Sequence, residues 1–488
     1  MNDTRIEKEA DEATEYRVYA ILFALLTAGF VGLYSETALN MAFTDLIDIF
    51  GIRPSDVQWL TTGYLLTLGI LAPVSGFLLK WFSSRQLFIV ALGFSIVGTM
   101  IAALAPYFSI LLFARIIQAI GTGLLMPLMF NTILIIFPVA KRGAAMGLVG
   151  LVILFAPAVG PTLSGFVIEK LTWNWIFWFS LPLLVSSLVC GIVVMKNTSD
   201  ITRPKIDILS IVLSTLGFGG IVFGFSSLGE SGEGWGSPVV IVSLAIGVVS
   251  LALFIIRQLL LSQPMINLRA FHYPMFTLGM LMVFLCMMVI LSSSVLLPMY
   301  LQGGLTLTAL TAGLVLLPGS FINGLISPVI GRLFDRVGPK WMVTPGYILV
   351  STMLWVFSNV TPDTSKIMII VVHTCLMTGI SLIMMPSQTN GLNQLPRELY
   401  PDGTAIMNTL QQVAGAIGTT VAVTVMSSEQ AKYASKALDA SRASTMSASL
   451  TAGVQMAFIY GIVVAILGLI VSVFFKRVAV KQQEKYGA

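Results

Sequence analysis

The chain has 488 residues, of which 56% are hydrophobic and only 10% charged, with a formal net charge of +5. Soluble domains carry about 25% charged residues, so this chain has too little charge to cover a water-exposed surface, and its mean hydropathy of +0.92 agrees. There is no Walker-type phosphate loop, no Cys/His/carboxylate cluster with metal-ligand spacing, and no Ser/Asp partner near His272 or His373, which argues against an ATP-driven pump, a metalloenzyme and a triad hydrolase.

The opening stretch MNDTRIEKEADEATEYR is charged and lacks an apolar segment, so it does not read as a cleaved signal, and the first span is expected to direct insertion. Apolar runs long enough to cross a hydrocarbon layer of about 30 Å as helices are predicted at roughly 18–42, 56–79, 86–105, 109–137, 143–168 and 173–195. After a charged break two more fall at roughly 207–228 and 238–261, and six follow at roughly 274–301, 308–332, 341–359, 366–394, 403–426 and 451–475. The fold class is an all-α polytopic membrane protein with fourteen transmembrane helices. Cys190, Cys286 and Cys375 all fall inside predicted spans, where they act as small apolar packing residues rather than a disulfide framework.

An even number of spans puts both termini on one side. With the termini cytoplasmic, inner segments hold 20 of the 27 Lys and Arg residues and outer loops hold six, three of them (Lys432, Lys436, Arg442) in a long loop from Ser427 to Ser449. That is the expected positive-inside bias, and the positive net charge therefore reports topology rather than a nucleic-acid partner.

Two charges remain inside the layer. Glu36, in GLYSETALN, lies about six residues, or about 9 Å, inside the outer end of the first span if that span ends near Ala42. Arg115 lies about as deep in the fourth span, which enters near Ser109. Intramembrane charges face the protein interior or a water-filled cavity and pair with one another. A carboxyl beside a guanidinium in such a setting can load and release a proton, so Glu36 and Arg115 are the candidate proton-coupling residues. A purely structural ion pair is the competing reading.

The loop after the tenth span reads GRLFDRVGPK (Gly331–Lys340), and the loop after the second reads GFLLKWFSSR (Gly76–Arg85). Both begin with Gly and end with a cation, which suggests two related six-helix halves with the seventh and eighth spans inserted between them. The domain expectation is 1–200, 201–265 for the inserted pair, and 266–488. Parallel repeats of this kind are a transporter architecture with substrate bound between the halves.

Four segments resemble the major facilitator superfamily, specifically its 14-helix drug:proton antiporter branch. GRLFDRVGPK matches the cytoplasmic loop motif, with Gly331 and Gly338, Asp335 in the acidic position, and Arg336 and Lys340 in the basic ones. The first copy departs from it, with Lys80 where the acid belongs. ARIIQAIGTG carries Arg115, Gln118, Gly121 and Gly123 at matching positions, and the resemblance implies a role for the Arg in proton coupling. FAPAVGPTLSG is similar to the antiporter motif through Gly160, Pro161 and Gly165, with Pro157 one turn earlier and Ala156 and Ser164 where Gly is usual. Small residues permit close helix approach and prolines bend helices, so this stretch suits a pivot or seal. SETALNMAFTDL resembles the first-helix motif of the branch, with Glu36 standing where Asp is usual. Within the branch, TTGYLLTLGILAPVSG, LMFNTILIIFP and LTWNWIFWFSLP look like the lincomycin-resistance exporters of Gram-positive bacteria.

The resemblance implies a multi-pass protein of the bacterial cytoplasmic membrane, monomeric, that exports small amphipathic drugs such as lincosamide-like antibiotics by alternating access. It would use the proton gradient and no cofactor. Candidate substrate contacts are Asn40, Gln58, Trp59, Tyr64, Asn131, Tyr300, Asn323, Gln388, Asn408 and Gln411, with Tyr347, Asn390 and Gln412 as further polar or aromatic positions. A proton-linked symporter or lipid flippase on the same fold, and a non-transporting receptor, stay open at this stage.

Overall fold

The computed structural model describes residues 2–52, 57, 59–195, 197, 201, 207–227, 236–262, 264–307, 309–436 and 442–478. Hydrocarbon offers no hydrogen-bond partners, so a spanning segment must satisfy its amides internally, and the apolar runs fold as helices. In chain order these are α1 (Asn2–Ala38), α2 (Phe43–Phe50), α3 (Trp59–Trp81), α4 (Ser84–Ala103), α5 (Phe108–Ile136), α6 (Val139–Lys170), α7 (Trp175–Val194), α8 (Ile208–Ser226), α9 (Pro238–Leu260), α10 (Pro274–Met299), α11 (Ala309–Val337), α12 (Lys340–Phe357), α13 (Lys366–Asn393), α14 (Tyr400–Lys436) and α15 (Arg442–Val473). Among the described residues, twelve helical segments are long and apolar enough to cross a membrane. Helices α6 and α12 stand at the other two predicted spans.

Local signals explain the boundaries. Ser83 starts α4 with a capping box: its hydroxyl accepts from Gln86 N at 3.3 Å while Gln86 Oε1 accepts from Ser83 N at 3.1 Å. Gly338 ends α11 at φ +87°, a left-handed conformation that other residues adopt at a cost, and its N–H returns to Phe334 O at 2.9 Å. Pro298 near the end of α10 removes a backbone donor, and the chain continues as a π-helical turn, Tyr300–Gly304.

Two expectations are corrected. Helix α1 ends at Ala38 rather than Ala42; a 3₁₀ turn, Leu39–Ala42, and the short α2 follow. Glu36 therefore sits in the last turn of α1, and fully buried Leu46 of α2 belongs to a core with Tyr34, Ala38, Leu60, Ala114 and Trp173. The described parts of Ser427–Ser449 are helical rather than loop. Residues up to Lys436 extend α14 and residues from Arg442 extend α15, because Ala, Lys, Glu and Gln in SSEQAKYASK favour helix, helped by the Glu429–Lys432 ion pair at 3.2 Å.

The chain divides into two compact units: Met1–Phe137, Val152–Asn267 and Thr404–Gln412 form one, and Pro138–Leu151, Leu268–Gly403 and Val413–Ala488 the other. In the first, α5 packs on α1, α3 and α4, and α7 packs on α1 and α4. In the second, α13 packs on α10, α11 and α12, and α15 packs on α10 and α12. Matching α1, α3, α4, α5 and α7 with α10, α11, α12, α13 and α15 gives every one of these pairs a counterpart, so the repeat seen in the loops extends to the packing. Helices α8 and α9 pack on each other, and α8 also on α3. Asp207 and Arg257 pin the α8–α9 pair with two bonds, 2.7 Å to Nε and 2.9 Å to Nη2.

Candidate functional site

Arg115 is the largest fully buried side chain among the described residues, with none of its surface exposed. A buried guanidinium must find acceptors or an offsetting charge. Its Nη1 donates to Ser35 O at 2.8 Å and to Gln118 Oε1 at 3.2 Å, and its Nε donates to Leu60 O at 3.3 Å. Ser35 belongs to the last turn of α1, whose final carbonyls have no partner within the helix. The cation thus caps the negative end of α1, a placement favoured by the helix dipole. Gln118 in turn donates to Thr99 Oγ1 at 2.9 Å, which ties the cap to α4.

Glu36 follows Ser35 directly and is half-buried. It and Arg115 act on each other electrostatically. Yet no ion pair joins the two side chains, whereas Arg257 and Asp207 at the α8–α9 contact do form one, at 2.7 Å. Arg115 Nη2 has no hydrogen-bond partner among the described residues. One guanidinium arm is therefore unspent.

The other side of the same turn of α1 is held by α6. Pro161 has no N–H, so the Pro157 carbonyl loses the partner that an α-helix would supply four residues on. Thr37 Oγ1 donates to that carbonyl at 3.1 Å. Tyr34 OH pairs with Ser164 Oγ at 3.2 Å. A Cβ on Gly160 would meet Thr37 Oγ1 and approach Tyr34 O to 3.4 Å, so the α1–α6 contact requires glycine there. Gly165 is half-buried on the same helix. Of Pro161 only the backbone is described. Gly121 plays the equivalent part between α5 and α4, where a Cβ would strike Ser95 Oγ and Ala91 O; at Gly123 the nearest atom is Leu71 Cβ at 3.3 Å.

In the second unit, Asp335 Oδ1 accepts from Gly143 N and Oδ2 from Ala144 N, both at 3.0 Å, in the early turns of α6. Gly331 makes this possible, since a Cβ there would strike Gly143 O. Arg142 beside them donates to Asn393 Oδ1 at 3.1 Å and to Tyr400 OH at 2.9 Å. The chain beyond α15 returns to this loop: Arg477 Nη2 donates to Asp335 O at 2.9 Å, and its Nη1 lies 3.5 Å from Arg336 O. Asn390 grips the same strap, donating to Lys476 O at 2.9 Å and accepting from Val478 N at 3.0 Å. Arg336 and Lys340 themselves are exposed.

The remaining candidates separate by environment. Gln58 lies outside the described residues, and of Asn40 only the backbone, in the 3₁₀ turn, is described. Trp59 packs against Phe223 of α8 with centroids 5.9 Å apart. Tyr300 and Tyr347 are fully buried and donate to backbone, Tyr300 to Thr361 O and Tyr347 to Met282 O, both at 2.7 Å. Asn323 engages Ser381 Oγ, and Asn408 donates to Thr404 O at 2.9 Å; Gln412 is half-buried. Three amides stand apart: both polar side-chain atoms of Asn131 and of Gln388, and Nε2 of Gln411, are buried without partners among the described residues. Sequence reasoning missed Thr37, Arg142, Tyr400 and Arg477. For Thr37 half of the signal was available, since Pro161 leaves the carbonyl four residues before it without a helical partner, but nothing in the sequence says which donor meets it.

An all-helical protein with a repeated pattern of spanning helices is a multi-pass membrane protein. The chain belongs to the Major Facilitator Superfamily, whose family profile matches residues 25–419. It is 65% identical over 475 residues to lincomycin resistance protein LmrB of Bacillus subtilis, covering 97% of this chain and 99% of that protein. It is 28% identical over 403 residues to multidrug export protein EmrB of Haemophilus influenzae, covering 82% and 79%. The crystal structure of the human organic anion transporter MFSD10 shares the fold, with a TM-score of 0.64 at 13% identity, covering 93% of this chain and 99% of that one. Such bacterial relatives and the spanning helices place it in the cytoplasmic membrane as a multi-pass protein.

Proposed function

We propose that the chain is a drug exporter of broad amphipathic range, lincosamide-like antibiotics included, that exchanges drug for protons by alternating access. The observation that carries the proton step is the buried Arg115 fork on the last turn of α1, with one arm unspent and Glu36 adjacent. Ionised Glu36 turns to that arm; protonated Glu36 releases it, and the α1–α6 contacts at Thr37 and Tyr34 carry the difference into α6. Each proton entering down 100 mV supplies about 2.3 kcal/mol. The gradient is the only energy source required, and no cofactor takes part.

The finer architecture follows the same reading: fourteen spans, both termini cytoplasmic, two six-helix bundles (1–200 and 266–488) flanking an inserted pair (201–265), working as a monomer. The charge asymmetry of the loops and the presence of α6 and α12 at predicted span positions support it. Asn131, Gln388 and Gln411 are the strongest substrate contacts, because a buried amide without a partner costs about 1–3 kcal/mol and a bound drug relieves that cost. The test is a susceptibility panel in an efflux-deficient bacterium. Wild type is expected to raise lincosamide tolerance, and Glu36→Gln to return it to the empty-vector level. Full resistance with Glu36→Gln refutes the proton role.

A further inference from the structure

Tyr64 of α3 was a candidate substrate contact, but its surroundings assign it other work. None of its surface is exposed, and its ring centroid lies 4.2 Å from the Arg115 guanidinium carbon. Its hydroxyl donates to Gly32 O at 2.9 Å and shares a 2.7 Å hydrogen bond with Thr122 Oγ1. The Thr122 hydroxyl also lies 3.3 Å from Gln118 O, and either hydroxyl can be the donor in the bond between Tyr64 and Thr122. A single side chain therefore joins α1, α3 and α5. The carbonyl it holds is the one that α1 pairs with the N–H of Glu36, four residues on. Its own helix supplies the Leu60 carbonyl that receives Arg115 Nε.

We propose that Tyr64 is a positioning residue for proton coupling: its ring holds the Arg115 guanidinium, and its hydroxyl holds the turn that carries Glu36. The aromatic face attracts the desolvated cation, so the fork stays on Ser35 O with Nη2 in reserve. Helix α5 packs on α1, α3 and α4. Among the described residues of those helices, Glu36 and Tyr64 are the titratable groups acting on Arg115. Tyr34 bonds to Ser164, Lys80 lies in the last turn of α3, and Arg85 at the start of α4 donates to Ile192 O.

This rests on the proton-exchange reading above, and the test keeps the two apart. Purified transporter in liposomes would be assayed for lincosamide-driven proton movement from pH 5 to 9, with phenylalanine, then mono-, di- and trifluorophenylalanine, at position 64. Fluorination drains the ring's negative face while keeping its shape, and every member of the series lacks the hydroxyl equally, so comparison within the series isolates the ring. The midpoint of exchange is expected to move stepwise toward higher pH, by about one unit across the series, because a fork held less firmly offers less to an ionised carboxylate. Drug KM is expected to stay within twofold. A midpoint that does not move with fluorination overturns the role of Tyr64, provided Glu36→Gln abolishes exchange in the same liposomes. If Glu36→Gln leaves exchange intact, the proton reading falls and this inference with it.

Discussion

The Thr37 hydroxyl gives a sharp test of how α1 is tied to α6. Replacing Thr37 with the near-isosteric Val removes the donor to Pro157 O, now 3.1 Å away. An unpaired buried acceptor costs about 1–3 kcal/mol, and hydrogen bonds between membrane helices average about 0.6 and reach about 1.7 kcal/mol. A loss of about 1 kcal/mol is therefore expected for Thr37→Val. Pro161→Ala supplies the missing N–H four residues after Pro157, so the orphaned carbonyl gains a partner within α6. In that background Thr37→Val should cost close to nothing, giving a coupling of about 1 kcal/mol, beyond the roughly 0.3–0.5 kcal/mol scatter of independent sites. The four proteins would be compared by equilibrium unfolding in mixed micelles. Equal cost of Thr37→Val in both backgrounds would refute the argument that the missing N–H of Pro161 creates the demand Thr37 meets.

Other consequences follow from the second unit and the inserted helices. Asp335→Asn leaves one acceptor where two amides converge and removes a charge near the start of α6, a loss of about 2 kcal/mol. Deuterium uptake by peptides spanning Gly143 and Ala144 should quicken about 30-fold, and unchanged uptake would count against the contact. Asn390→Ala frees the strap at Lys476 and Val478, so limited proteolysis should remove the end of the chain faster than in wild type while α13 stays protected. The Arg257 guanidinium holds the Asp207 carboxyl at about 2, below its ordinary 3.8. The folded value is the lower one, so the pair stabilises fully above about pH 4 and its contribution fades as pH falls from there toward about 2. The melting-temperature gap between wild type and Asp207→Asn should be constant from pH 8 to 5 and close below 4; a gap that persists at low pH would contradict the pairing.

Hydrophobic run length located the spanning helices well, because the hydrocarbon layer imposes both length and helicity. Charge singles out Glu36 and Arg115 as residues deep in predicted spans, and the Arg115 side chain caps the last turn of α1, to which Glu36 belongs. What escaped is tertiary. The end of α1 was read near Ala42 because hydropathy does not report the 3₁₀ turn and α2 that follow, nor the burial of Leu46. Ser427–Ser449 looked like a loop for its polarity, although its Ala, Lys and Glu content favours helix. Tyr64 looked like drug-binding surface because an aromatic in a span has no pattern that distinguishes a cavity wall from a platform beneath a buried cation. The strap of Lys476, Arg477 and Val478 depends on Asn390, 86 residues before Lys476, which no local pattern encodes.

The central claim is that Glu36 carries the exchanged proton against the Arg115 fork. Its most direct test is proton release from detergent-purified protein on adding lincosamide, read with a pH indicator in weak buffer. Wild type should release protons on drug addition, and Glu36→Gln should bind drug and release none. Proton release from Glu36→Gln equal to that of wild type would contradict the account.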